Sequence, residues 1–232
     1  MIELVQQNDF ALGNAEKIKK LAENSSAKIL VVSDSHGKPW IFKSILYHLG
    51  KKADALFFCG DGMPDLVSIL EESVSDPELA QYIPEVLYFV HGNGDNSTIQ
   101  ILADKRIPLQ VPREINAVVS GKKIFMTHGH SYNVYFGTKD LIAAGKEKDA
   151  DLIFYGHTHL ASAQKKKISE KELTVLNPGS CSLPRGGMPN SCALVTVAHG
   201  KIKSEFYEIK FDDDGNILFK TFCAPAHDIK FF

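Results

Sequence analysis

The chain has 232 residues, of which 44% are hydrophobic and 23% are charged, and its formal net charge is −2. This composition is ordinary for a globular protein, and the balanced charge favours neither a membrane surface nor a nucleic acid as a partner. No apolar run approaches the roughly 20 residues that a membrane-spanning helix needs, and the four cysteines form no CxxC pair or disulfide framework. We therefore expect a cytoplasmic protein without a membrane partner or a specific nucleic-acid partner.

Hydrophobic periodicity up to about residue 155 predicts alternating helices and strands. The predicted helices cover residues 15–23, 40–49, 64–72 and 138–148. The predicted strands cover residues 28–32, 55–59, 86–90 and 152–155, together with a hairpin of residues 118–119 and 123–127. Such an order is typical of helices layered on a sheet.

The pattern changes after residue 159. Short apolar or alternating runs cover residues 173–176, 192–197 and 203–209, and turn-forming residues separate them. We expect these runs to form antiparallel strands in a β-rich layer. No low-complexity linker or internal repeat divides the chain, so we expect one domain over residues 1–232, with a core of about 28–207 and an addition at each end.

Five short polar segments, which we call the ligand segments, stand out from the rest of the chain. They are Ser33-Asp34-Ser35-His36-Gly37, Gly60-Asp61-Gly62, Gly92-Asn93-Gly94-Asp95, Thr127-His128-Gly129-His130 and Gly156-His157-Thr158-His159. Each follows a short apolar run and contains glycine, which is typical of a strand that ends in a tight turn. Strand ends on one rim of a sheet can gather distant residues into a single site.

The side chains of the ligand segments predict a site for two divalent metals. Asp34 and His36 are two residues apart, so in extended backbone they point the same way and can reach one ion together. His157 and His159 have the same spacing, and Asp61 stands at its own strand end, where a carboxylate can bridge two ions. Imidazole mixed with carboxylate suits manganese, iron, zinc, cobalt or nickel better than magnesium or calcium.

Charge indicates the kind of substrate. Two divalent cations bring four positive charges and the carboxylates of Asp34 and Asp61 remove two, so the site keeps a positive excess. That excess suits an anion such as a small phosphoester. Any one ligand segment alone is more typical of an ordinary turn or a surface histidine, but the five in order, with five of the nine histidines, favour the metal site.

The order D-x-H, G-D, G-N-x-D, H-G-H, G-H-T-H resembles that of the calcineurin-like metallophosphoesterases. Residues 176–180 (LNPGS), followed by Pro184-Arg185, resemble the YfcE-type phosphodiesterase branch of that family. The resemblance covers residues 28–197. It implies a four-layer α/β/β/α sandwich with a dimetal site on one rim, and manganese is the metal that we expect there.

The resemblance also implies roles for individual residues. The implied ligands of the first metal are Asp34, His36, Asp61 and His159. The implied ligands of the second metal are Asp61, Asn93, His128 and His157. A hydroxide that bridges the metals would attack phosphorus in line, while Asn93 stabilises charge on the phosphoryl oxygens. Asp95 and His130 are implied to orient ligands near the reacting groups, and Arg185 to contact the substrate phosphate.

One position departs from the wider superfamily. Many of its phosphatases carry a histidine after the ligand asparagine, where it can act as general acid for the leaving group, and this chain has Gly94 there. A glycine donates no side-chain proton, which favours phosphodiesters and good leaving groups over alkyl monoesters. The protein Ser/Thr phosphatases carry an aspartate-arginine-glycine run after the second motif, and residues 60–66 lack it.

Three functions remain open at this stage. The favoured one is a metal-dependent phosphodiesterase. A phosphomonoesterase or a nucleotide pyrophosphohydrolase would use the same site. A non-catalytic scaffold of the retromer-subunit type is disfavoured, because all seven candidate ligands have ligand chemistry. A homo-oligomer is also left open.

Overall fold

The computed structural model describes residues 2–168 and 170–226. Five α-helices are present among them: α1 Ala15–Glu23, α2 Pro39–Leu49, α3 Met63–Ser75, α4 Pro77–Ala80 and α5 Lys139–Glu147. Three short 3-10 helices cover Gly50–Lys52, His130–Tyr132 and Val134–Phe136. None of the helices in the described ranges is both long and apolar enough to cross a membrane.

The strands form two large sheets and one hairpin. The strands of the first sheet are β1 Leu12–Gly13, β2 Ser26–Val32, β3 Ala55–Phe58, β4 Val86–Phe89, β12 Ser191–Ala198, β13 Lys201–Phe211 and β14 Ile217–Phe222. The strands of the second sheet are β7 Glu114–Val119, β8 Lys122–Thr127, β9 Leu152–Phe154, β10 Ser162–Ile168 and β11 Lys171–Asn177. The separate hairpin pairs β5 Thr98–Leu102 with β6 Arg106–Gln110.

The first sheet has the order β1-β4-β3-β2-β12-β13-β14, and the second has the order β10-β11-β9-β8-β7. Strands β2, β3 and β4 are parallel neighbours in the first sheet, and β8, β9 and β11 are parallel neighbours in the second. Parallel neighbours end at the same edge of a sheet. The residues that follow β2, β3 and β4 therefore lie together, and so do those that follow β8 and β9.

The two faces of the first sheet pack against different parts of the protein, because successive side chains of a strand point to opposite faces. Ile29 and Val31 of β2 point into a core shared with the second sheet, while Leu30 and Val32 pack under α2 and α3. On the far side of the second sheet, Phe125 and Ile153 pack against α5. The order is helix layer, sheet, sheet, helix layer, which confirms the predicted four-layer sandwich.

The additions at the two ends of the chain contribute strands to the first sheet and contact the second. In the first sheet, β1 pairs with β4 at one edge and β14 pairs with β13 at the other. Both additions also reach the second sheet: the carbonyl of Leu21 accepts the N–H of Ser120, and the carbonyl of Pro225 accepts the N–H of Ala163. The terminal segments thus extend the first sheet at both edges, where they pair with backbone groups of β4 and β13.

The predicted helices and strands are confirmed, with shifts of at most four residues at their ends. The sequence patterns missed β1, β5, β6, β10 and β14. Strand β10 contains Lys165, Lys166 and Lys167, which pair with β11 in the second sheet. Strands β5 and β6 alternate apolar and polar residues, but they are short and largely exposed. Tertiary pairing decided these elements, because β-propensity depends strongly on context.

Candidate metal centre

The first group of candidate ligands is Asp34, His36 and His159. Asp34 follows β2 and His36 lies two residues later, while His159 comes from the loop after β9. The Nε2 atoms of His36 and His159 are 3.1 Å apart, and Oδ1 of Asp34 lies 3.2 Å from Nε2 of His159 and 3.7 Å from Nε2 of His36. Three ligand atoms from distant parts of the chain therefore converge on one point.

The second group is Asp61, His128 and His157. Oδ2 of Asp61 lies 3.4 Å from Nε2 of His128, and Nδ1 of His157 lies 3.2 Å from the same nitrogen. Within each group all ligand atoms lie within 4.8 Å of one another. Ligands bonded to a transition metal at about 2.0–2.2 Å have such separations from one another.

Two carbonyl groups select the tautomers of the histidines. Nδ1 of His128 donates to the carbonyl of Cys59 at 2.7 Å, and Nδ1 of His159 donates to the carbonyl of Leu183. A carbonyl only accepts, so each Nδ1 carries the proton and each neutral ring presents a lone pair at Nε2. This is how metal-ligating histidines are usually held.

The buried carboxylate of Asp34 gives the clearest test of whether a cation fits. Its Oδ2 accepts the hydroxyl of Ser33 at 2.5 Å and the N–H of His157 at 3.1 Å. Its Oδ1 is buried and receives no hydrogen bond of acceptable geometry from the described residues, although His159 is close. Lone pairs on Oδ1 and on Nε2 of His159 then face each other, and a cation between them would remove the repulsion. The donor set therefore fits a divalent metal.

Burial and contacts between carboxylates and imidazoles also shift the pKa values of these groups. Burial alone would raise the pKa of Asp34, but contacts with His159 and His36 hold it below its usual value. The contact with Asp34 raises the pKa of His36. Burial works to lower the pKa of His128, but its contact with Asp61 outweighs burial and raises it. The carboxylates are anionic, and they attract either protons or metal ions to the imidazoles beside them.

His157 differs from His36 and His128, whose pKa values are raised. Burial, followed by the charge of His128, lowers the pKa of His157 to about 4. It is therefore neutral at physiological pH, with Nδ1 directed at the second group. A neutral imidazole is the form that binds a metal.

The backbone at these residues is held in an unusual conformation. Asp34, His36, Asp61, His157 and His159 have φ values of 55°, 43°, 55°, 67° and 61°. Side chains other than glycine rarely adopt this left-handed region, and residues held there persist only where the surroundings impose it. The left-handed backbone thus directs the side chains of the ligand segments, and it does so in a conformation that is unfavourable for residues other than glycine.

Asp95 imposes the conformation of the Asp61 turn. Its Oδ2 accepts the N–H groups of Asp61 at 2.7 Å and Gly92 at 3.0 Å, and its Oδ1 accepts those of Gly62 at 3.0 Å and Met63 at 2.9 Å. Four backbone donors on one carboxylate tie the turn after β3 to the turn after β4. Asp95 thus holds the turn that carries Asp61, and its role in orienting a bound ligand stays a prediction.

Asp65, in the first turn of α3, supports the Asp34 segment in the same way, although no sequence pattern singled it out. Its Oδ2 accepts the hydroxyl of Ser35 at 2.5 Å and the N–H groups of Gly37 at 3.0 Å and Lys38 at 3.3 Å. Asp65 is buried. Its carboxylate thus fixes the chain between Asp34 and α2.

Residues 177–182 join the two ligand loops of the first group. Ser180 donates its hydroxyl to the carbonyl of Asp34 at 2.6 Å, and Ser182 donates to that of Ser35 at 2.8 Å. Asn177 donates to the carbonyl of Gly156 at 2.8 Å. The turn that resembled the family motif therefore lies at the rim, where it holds backbone.

Two glycines of the ligand segments are required by close approach. A Cβ on Gly92 would lie 1.9 Å from Oδ1 of Asp61, and a Cβ on Gly156 would lie 2.0 Å from Oγ of Ser33. Neither contact is tolerable for any side chain. The turn patterns in the sequence suggest that glycine is needed for its conformational freedom. At these two positions it is needed because there is no room for a Cβ atom.

Residues 27–200 match the family described as the calcineurin-like phosphoesterase superfamily domain. The chain belongs to this superfamily. Phosphodiesterase YfcE of Escherichia coli strain K12 is 30% identical over 173 residues, which are 72% of this chain and 86% of that protein. The predicted family is therefore confirmed, and with it the classification of the chain as a phosphoesterase.

Solved structures agree with this assignment. A conserved uncharacterized protein of Streptococcus pneumoniae TIGR4, described as a predicted phosphoesterase, has a TM-score of 0.58 at 28% identity and covers 86% of this chain and 98% of its own. Vacuolar Protein Sorting 29 of Cryptosporidium parvum has a TM-score of 0.59 at 19% identity and covers 86% of this chain and 99% of its own. The second likeness shows the shared fold alone.

Two further predicted residues, Asn93 and His130, lie around the phosphoesterase site. Asn93 is exposed, one residue before Gly94, whose N–H donates to Oδ1 of Asp61 at 2.9 Å. The His130 ring centroid lies 5.5 Å from that of His128 and 6.0 Å from that of His157, and its buried Nδ1 has no hydrogen bond from the described residues. Metal ligation by Asn93, bridging by Asp61 and an orienting role for His130 stay predictions.

Arg185 also lies beside the site. Its backbone N–H donates to the carbonyl of His159 at 3.3 Å, and its guanidinium donates to the hydroxyl of Tyr135. The sequence patterns missed Tyr135, since a tyrosine in a loop has no distinguishing spacing.

Replacement of Asp95 by asparagine tests the support of the Asp61 turn. An amide nitrogen in place of one oxygen would face backbone N–H donors, so we expect Asp95→Asn to lower the affinity for Mn²⁺ by about 10- to 100-fold. Isothermal titration calorimetry measures this affinity. Asp104→Asn changes an exposed aspartate in the same way and serves as the control. Equal affinity in both variants would contradict the supporting role.

The raised pKa values of His36 and His128 predict how metal binding depends on pH. Protons compete with the cation for these imidazoles, and a raised pKa keeps the proton bound to a higher pH. We therefore expect the affinity for Mn²⁺ to fall as the pH is lowered from about 8 to about 6. Calorimetry at several pH values measures this affinity. His48 lies outside both groups, so His48→Gln should show the same dependence on pH as the wild type. An affinity for Mn²⁺ that does not change with pH would contradict competition between protons and the cation.

Proposed function

We propose that this protein is a metal-dependent phosphodiesterase that acts on small phosphoesters. One observation carries the proposal: two groups of carboxylate and imidazole ligands lie on one rim, and one of them contains a buried carboxylate oxygen without a hydrogen-bond partner from the described residues. The relationship to a protein named as a phosphodiesterase supports the same activity.

The proposed ligands divide between two cations. Asp34, His36 and His159 would hold the first together with Asp61, and Asp61, His128 and His157 would hold the second together with Asn93. Mixed nitrogen and oxygen donors favour manganese, with iron, zinc, nickel and cobalt as alternatives. When bound, such a pair of ions activates water and neutralises charge on a phosphoryl group.

The chain's own residues prepare the site for an anion. The carboxylates of Asp34 and Asp61 are too few to neutralise two divalent cations, so a positive excess remains for the substrate. Arg185 adds a further positive charge at the edge of the same rim. Asn93 is exposed at the start of the β4–β5 loop, where an amide can donate to a phosphoryl oxygen.

Gly94 is the basis for choosing a diester rather than a monoester. Its backbone N–H is engaged with Asp61, and it has no side chain that can protonate a leaving group. Diesters that release a weakly basic group need no such acid. The proposal therefore favours aryl or otherwise activated diesters over alkyl monoesters.

We expect Asp61→Asn and His128→Ala to lower Mn²⁺-dependent hydrolysis of bis(p-nitrophenyl) phosphate by at least about 100-fold, because each removes a metal ligand. Release of p-nitrophenolate reports the rate. Asp213→Asn makes the same replacement in an exposed turn and should retain wild-type activity. Activity close to wild type in either ligand variant would refute the assignment.

A histidine at position 94 tests the missing acid. A Cβ at Gly94 meets its nearest atom, Oδ1 of Asp61, at 3.4 Å, so the backbone has room for a side chain. We expect Gly94→His to raise the ratio of monoesterase to diesterase activity by about 10-fold or more, since general acids contribute on that scale. Assays with p-nitrophenyl phosphate and the diester give the ratio. An unchanged ratio would count against the account based on Gly94.

A panel of substrates separates the alternatives. Phosphomonoesters, phosphodiesters, cyclic nucleotides and nucleotide anhydrides, each with Mn²⁺ and with other divalent metals, distinguish a diesterase from a monoesterase or a pyrophosphohydrolase. A wild-type protein that binds Mn²⁺ but hydrolyses none of them would favour the non-catalytic scaffold.

A further inference from the structure

Tyr135 stands between the second ligand group and Arg185. It lies in the 3-10 helix Val134–Phe136, shortly after the segment that carries His128. Its hydroxyl donates to the backbone carbonyl of His157 at 3.0 Å, and Nη1 of Arg185 donates to the hydroxyl. Its ring centroid lies 4.6 Å from that of His157. The tyrosine thus contacts both a candidate metal ligand and a candidate substrate contact.

The chemistry of the three groups sets the direction of these hydrogen bonds. A carbonyl only accepts and a guanidinium only donates. The single proton of the Tyr135 hydroxyl therefore goes to His157, and an oxygen lone pair receives Arg185. The chain of two bonds fixes the guanidinium relative to the turn that carries His157.

Arg185 is held at both ends. Its backbone N–H is bonded to the carbonyl of His159, while its guanidinium is bonded to Tyr135 and lies 5.8 Å from the centre of that ring. The side chain therefore runs along the outside of the turn formed by Gly156–His159. This restraint reduces the rotamer freedom that a long, exposed side chain would lose on binding a substrate.

The charge of Arg185 is not neutralised nearby. No carboxylate lies within ion-pair distance of its guanidinium in residues 2–168 and 170–226, whereas Lys43, Lys123 and Lys165 each pair with one. The side chain is exposed, and only one of its N–H donors is engaged with the described residues. An oriented, unpaired guanidinium beside two metal-ligand groups suits a phosphoryl oxyanion, which such a fork of donors binds well.

We propose that Tyr135 is a positioning residue, which orients Arg185 to bind a non-bridging oxygen of the substrate's phosphoryl group. This inference rests on the proposed function and deepens it. Tyr135 acts through Arg185 and sets the affinity for the phosphoryl group, while the metal ligands supply the site of reaction.

A double-mutant cycle tests the coupling. We expect Tyr135→Phe and Arg185→Met each to raise the KM for bis(p-nitrophenyl) phosphate by about 10-fold, with kcat changed by less than about 3-fold. The double variant should show a KM close to that of Arg185→Met alone, because Tyr135 has no separate effect once the guanidinium is gone. Arg185→Lys should not restore the wild-type KM, since an ammonium lacks the planar fork.

A matched control separates this role from support of the loop. Tyr132 lies in the same segment, and its hydroxyl donates to Glu114 instead of contacting Arg185. Tyr132→Phe should therefore leave the KM unchanged. The affinity for Mn²⁺ should be equal in wild type and Tyr135→Phe, because the proposed role does not pass through the metal ligands.

Independent, additive effects of Tyr135→Phe and Arg185→Met would overturn the inference, and so would a loss of Mn²⁺ affinity in Tyr135→Phe. Binding of inorganic phosphate to the Mn²⁺-loaded protein, measured by calorimetry, gives a readout that needs no turnover. If wild type hydrolyses no diester, the proposed function fails, but the phosphate affinities still decide the inference. Equal phosphate affinity in wild type and Arg185→Met would refute it.

Discussion

The site depends on one buried charge, the carboxylate of Asp34. One of its oxygens is satisfied by Ser33 and by the backbone of His157, and the other faces His36 and His159 without a hydrogen bond from the described residues. A buried carboxylate without compensation costs several kcal/mol. A cation bound beside it removes that cost, so metal binding and stability of the rim are linked at this residue.

Around the Asp34 carboxylate, hydrogen bonds hold the loops that follow the parallel strands in fixed positions. The parallel strands of both sheets deliver the ligand segments to one rim, where the carbonyl of Cys59 from one sheet orients His128 from the other. Backbone in the left-handed region then aims the side chains. The carboxylates of Asp65 and Asp95 hold this strained backbone through hydrogen bonds to several N–H groups. Such support is what ligand geometry at a metal site requires.

The surroundings of the site suggest how the reaction class is selected. Gly94 offers no acid to a leaving group, and the positive excess left by two carboxylates favours an anion. Tyr135 and Arg185 add a directed donor at the edge, beyond the candidate ligands. In the proposed enzyme the metals would act on the phosphoryl group, and these residues would determine which phosphoesters are held there productively.

Local patterns determined a great deal about this protein. The apolar runs followed by glycine and polar residues were enough to predict the strand ends and the types of candidate ligand, because a turn and its side chains are encoded by neighbours in sequence. The family was indicated by the resemblance of the five segments, in order, to those of known metallophosphoesterases. The tertiary structure alone decided which residues support the ligands, and how β1 and β14 complete the first sheet. Those features depend on contacts such as that of Ser180 with Asp34, 146 positions apart. No local pattern encodes a hydrogen bond between segments that only packing of two sheets brings together.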